Sequence, residues 1–66
     1  MDAAEKGQRY AKLFRRAGNF LSKGNVARAI EVLKDGQALA EQLGDASMAR
    51  RYADEIERVG SPPLTE

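Results

Sequence analysis

The sequence has no cysteine, no histidine and no tryptophan, and among its 66 residues are only two phenylalanines, two tyrosines and two prolines. Each absence closes a route. Without cysteine there is no disulfide to staple so short a chain and no thiolate nucleophile; without histidine there is no imidazole base and no borderline ligand for zinc. Catalysis is therefore not expected, nor is a metal or any other cofactor. No apolar run approaches the about 18 residues that a membrane span requires, and the first segment lacks the apolar stretch of a secretory leader, so a cytoplasmic protein is the expectation. The shortage of aromatics bears on stability, because a chain of this length forms one domain and buries only about 60% of the surface its unfolded form exposes. With disulfides excluded and a metal site not expected, association with another chain is the remaining aid to a small core.

What the chain does have is charge and helical periodicity. Net charge is only +1, but it is uneven: the first 23 residues carry six basic residues against Asp2 and Glu5, and the remainder carries five against eight acidic ones. Asp2 followed by Glu5 has the spacing of a capping box, so a helix is expected over 2–23, with Tyr10, Leu13, Phe14, Ala17, Phe20 and Leu21 on one stripe. Gly24 suits a left-handed helix end and Asn25 a new cap, which predicts a second helix over 25–43. At about 100° per residue, Val26, Ala29, Ile30, Val32, Leu33, Gly36, Leu39, Ala40 and Leu43 fill roughly half its circumference, too wide an arc for one neighbour. It is therefore the expected middle layer, and Gly36 falls within that arc, where a missing side chain lets another helix come close. Gly44 and Asp45 repeat the stop and cap, and Met48, Tyr52, Ile56 and Val59 mark a third helix over 46–59, which Gly60 is expected to end. The fold class expected is all-α, an antiparallel hairpin with a third packed helix in one domain over 1–60. With paired prolines at 62 and 63, 61–66 reads as an extended, disordered tail.

Over 13–43 the hairpin resembles a tetratricopeptide repeat, a 34-residue helix-turn-helix unit that stacks in arrays and binds proteins. Ala17 stands at a small position of the family's first helix, Phe20 at its aromatic, Gly24 and Asn25 at the turn, and Ala29, Leu33 and Gly36 at the small, bulky and small positions of the second helix. The chain departs from the pattern at Leu13, where the family prefers tryptophan, at Arg16, where it prefers leucine, and at Glu41, where proline is common. The resemblance implies a protein-interaction module or adaptor of about one and a half repeats, with 45–59 as the start of a second repeat or as a capping helix. A homodimer or a complex with a larger protein would replace the missing neighbours. The contact residues expected are Tyr10, Phe14 and Leu21 on the apolar side, with Arg15 and Arg16 at the rim. The groove side would carry Phe14, Gly18, Leu21 and Ser22, which lack the Lys and Asn of the family's carboxylate clamp.

A rival resemblance begins at Gln37, where ALAEQLGD followed by ARRYADEIERVG is similar to the helix-turn-helix of bacterial winged-helix repressors. It would end one helix at Gly36 and send 46–59 into the major groove, with Arg50 and Arg51 facing the DNA. Asp45 stands where that motif places an apolar plug, the turn is one residue short, and no wing strands follow Gly60. Nucleic acid is accordingly the less favoured partner. Arg9, Lys12, Arg16 and Lys23 form a basic stripe whose ordinary role is a solvated face, and Asp54, Glu55 and Glu57 read as the exposed side of the third helix.

Overall fold

The computed structural model describes residues 2–61, and among these the chain forms three helices: α1 (Ala3–Ser22), α2 (Val26–Gln42) and α3 (Ala46–Gly60). Each starts at the cap its sequence announces. The Asp2 carboxylate accepts from the Glu5 amide at 2.8 Å, the Asn25 side chain from the Arg28 amide at 3.2 Å, and the Asp45 carboxylate from the Met48 amide at 3.2 Å. Amides left without partners in each first turn are satisfied in this way.

The two inter-helix turns are built alike. After α1, Asn25 N–H reaches Phe20 O at 2.8 Å and Gly24 N–H reaches Leu21 O at 3.0 Å; after α2, Asp45 N–H reaches Ala40 O at 2.8 Å and Gly44 N–H reaches Glu41 O at 3.1 Å. Both are Schellman closures, which require a left-handed residue, and Gly24 and Gly44 have φ of 76° and 70°. A Cβ at Gly44 would meet nothing within 4 Å, so any cost of substitution is backbone strain alone. Gly44→Ala is expected to lose about 1–2 kcal/mol in a urea titration, and Gly44→Asn markedly less, since asparagine tolerates this region. Equal losses for the two would show that something other than the dihedral is at stake.

α3 ends at Gly60, one residue past the expected bound. Gly60 is its last helical residue and does not adopt positive φ; the chain leaves the helix at Ser61, which is extended at φ −80°, ψ 139°. Ser61 binds Glu57 O through both its amide, at 3.0 Å, and its hydroxyl, at 2.6 Å. Of the tail expected over 61–66, residues 62–66 lie outside the described residues.

α2 is the middle layer, as its wide apolar arc requires. Ala29, Val32, Leu33, Gly36 and Ala40 are buried on it, and Val26 and Leu43, at the edges and ends of the arc, stay exposed. The backbones of α1 and α3 do not meet, because every close approach between helices joins α2 to one or the other. Three of the buried α2 positions, Ala29, Gly36 and Ala40, are small, which admits the larger side chains of the flanking helices. Tyr10 and Ala17 enter from α1 and Tyr52 from α3, with Leu13, Phe14, Phe20, Leu39, Met48, Ala49, Ile56 and Val59 packed around them.

Candidate functional site

Gly36 and Tyr52 sit at the centre of the molecule. α2 runs unbroken through Gly36, and the space a side chain would take there is filled by the Tyr52 ring. That ring is fully buried, stacks on Phe14 with centroids 4.3 Å apart and planes 4° from parallel, and leans on Tyr10 at 5.9 Å and 56°. Its hydroxyl donates to the Tyr10 carbonyl oxygen at 3.1 Å. A helical carbonyl has a second lone pair, so α1 can accept this bond without giving up its own ladder. Side chains of α1 and α3 thus bridge the two helices over Gly36 of α2, although their backbones stand apart.

A second tie runs from α1 to the start of α3. Asp45 Oδ1 caps α3, while Oδ2 accepts from the Tyr10 hydroxyl at 3.3 Å and lies 3.3 Å from Lys6 Nζ. The Met48 amide, helped by Lys6 and Tyr10, holds the Asp45 carboxyl below its ordinary value despite partial desolvation. Burial pushes both tyrosines the other way. Tyr10 is raised by desolvation and by the Asp45 charge beside it; Tyr52 is pushed up to about 12 by desolvation and by Tyr10, with Arg51 offsetting part of the rise. A phenol whose pKa is higher in the folded state stabilises the fold below its unfolded value of 10.0 and loses that contribution as pH rises toward the folded value. Tyrosinate absorbance is therefore expected to appear late, above pH 10.0, and together with loss of helical circular dichroism. Ordinary phenol titration with the helices intact would show that neither ring is sequestered.

The five residues expected at a protein contact are not gathered into one patch. Tyr10 is only 6% exposed, so it is a core residue and not a surface contact. Phe14 is half-buried, covered on one face by Tyr52 and approached by the Arg51 guanidinium at 5.6 Å from its centroid, so α3 supplies a cover for this side chain. Leu21 remains 36% exposed and lies on the same flank of α1 as Phe14. Arg15 points outward, and Arg16 lies about 200° round the helix from Phe14, where with Arg9, Lys12 and Leu13 it borders a shallow open depression against Asp35 and Leu39 of α2. The basic stripe is thus an exposed flank turned away from α3. Among the expected acidic residues, Glu55 pairs with Arg58 at 2.8 Å on the surface, and Asp54 and Glu57 are exposed.

Sequence reasoning overlooked Arg51 as a lid on Phe14 and treated Tyr52 only as one apolar position among four. Gly36 was the available signal, since a glycine inside a buried arc calls for a large partner opposite it.

The arrangement defines a class: an open layer of three helices with α2 between α1 and α3, locked by one aromatic cluster. No family model, curated protein or solved structure matches the chain. No helix among the described residues is long and apolar enough to cross a membrane.

Proposed function

We propose that this chain is a small protein-interaction module or adaptor that acts by helix packing, associates with itself or with a larger protein, and carries out no chemistry of its own. The observation that supports this most is the openness of the layer. α2 is covered by a helix on two sides, but α1 and α3 meet only through side chains, and Leu21, Val26 and Leu43 are 36, 42 and 39% exposed. Helical layers of this kind bury such edges by adding a further helix, which is how stacked repeats share a core. The unbroken course of α2 through Gly36 also favours the hairpin over the helix-turn-helix, which needs a break there, and Tyr52 at the middle of α3 is spent on the core.

Sedimentation velocity over a hundredfold dilution tests the self-association. The expected result is a mass that falls with dilution and a melting temperature that rises with concentration. A chain that stays monomeric and fully folded throughout would leave only a different protein as partner. Duplex DNA binding that weakens steeply with salt and disappears in Arg50→Ala/Arg51→Ala would replace the proposal with its rival.

A further inference from the structure

The face of the α2–α3 layer turned away from α1 has no helix on it. At about 100° per residue, Ile30 and Gln37 of α2 and Ala53 of α3 lie on this face and are half-buried, while its margins are charged. Those margins follow a rule. α3 carries Arg50 and Glu57 exposed on one side, seven residues apart, and α2 carries Lys34 and Glu41 exposed at the same separation. Seven residues are two turns, about 10.5 Å of rise, so each helix presents one cation and one anion in line.

Resting on the self-association proposed above, we infer that the partner on this face is a second copy of the chain, related by a two-fold axis perpendicular to the helices. Such an axis lays α3 antiparallel on its counterpart and α2 on its counterpart. An axis passing midway between Arg50 and Glu57 sets each against the other residue's copy, and an axis midway between Lys34 and Glu41 does the same for α2. The structure brings the two requirements together. Gly36 lies level with Tyr52, and Ile30 meets the Gly60 position, so the midpoints of the two charge pairs differ in height by only about 3 Å. One axis therefore serves both helices, with four complementary pairs at the margins and Ile30, Gln37 and Ala53 between them. Ala53 and the exposed Ala46 are small, which permits close approach of the two α3 helices.

Charge reversal is the test, on the full chain by sedimentation equilibrium. Arg50→Glu and Glu57→Arg each place like charges opposite one another twice per dimer, and each is expected to raise the dimer Kd at least about tenfold. The double variant Arg50→Glu/Glu57→Arg restores the alternation and is expected to return the Kd to near wild type. All four positions are exposed, and circular dichroism verifies that the helices persist; if either α3 variant unfolds, Lys34→Glu, Glu41→Lys and their double variant pose the same question on α2. A dimer unmoved by the single reversals, or not rescued by the double one, overturns this seam. A dimer dissociated by Leu21→Glu and indifferent to the reversals does so while leaving the self-associating module intact. A wild-type chain that is monomeric at every concentration overturns both.

Discussion

Tyr52→Ala is expected to remove about 3–5 kcal/mol of stability. The whole domain, at its length, has about 3–10 kcal/mol to lose, so this one truncation takes the protein to the edge of unfolding at room temperature. The cost is high because the neighbours cannot close the gap. Tyr52 is 0% exposed, and the wall it faces on α2 is Gly36, which has no side chain to swing inward. Phe14 loses its stacked cover, and the side-chain link between α1 and α3 is cut at its strongest point. Tyr52→Phe separates packing from hydrogen bonding. It keeps the ring and gives up only the bond to the Tyr10 carbonyl, for an expected loss of about 0.5–1.5 kcal/mol. Urea unfolding followed by circular dichroism compares the three proteins. A Tyr52→Ala protein within about 1 kcal/mol of wild type would mean that the aromatic cluster does not hold the layer together.

Gly36→Leu is the complementary experiment, in which helix propensity and packing oppose each other. Leucine, as a far better helix former, should stabilise the interior of α2 by nearly 1 kcal/mol. Packing overrides that gain. Even the first atom of a side chain at Gly36 would stand inside contact distance of Tyr52 Cε1 and Cζ and 2.8 Å from Cδ1, and a leucine would fill the space the ring now occupies. Overpacking of this kind costs about 1–3 kcal/mol, and displacement of Tyr52 adds the losses described above, so the expected net destabilisation is about 2–4 kcal/mol. In a domain this small, each kcal/mol lowers the melting temperature by about 4–8 °C. Gly36→Ala should also destabilise, but less. A double-mutant cycle identifies the cause, because Gly36→Ala is expected to become neutral or stabilising once Tyr52→Val has removed the ring. A Gly36→Leu protein as stable as wild type would show that the ring is free to move aside at no cost.

The same contact covers Phe14 from within the chain. From composition, association is the remaining aid to a small core, and the repeat resemblance sets Phe14 on a face that needs a cover. α3 provides it through Tyr52 and Arg51. The surfaces left open after folding are the Leu21 edge of α1 and the charged margins of the α2–α3 face.

The sequence by itself determined the helices, their caps and both turns. Asp2 with Glu5, Gly24 with Asn25 and Gly44 with Asp45 act within a few residues of themselves, through bonds that local geometry dictates, and each was legible for that reason. Gly60 ends α3 one residue past the bound read from periodicity, without a left-handed turn, and the chain leaves the helix at Ser61. The middle position of α2 was also legible, since the width of an apolar arc reports how many neighbours a helix must have. Periodicity cannot say which side chain meets which. That Gly36 receives Tyr52 and that Tyr10 is interior follow from how the helices rotate and settle against one another. Tertiary structure alone decided these points, because the Tyr52 contacts span 16 residues to Gly36 and 42 to Tyr10 and depend on the approach of whole helices.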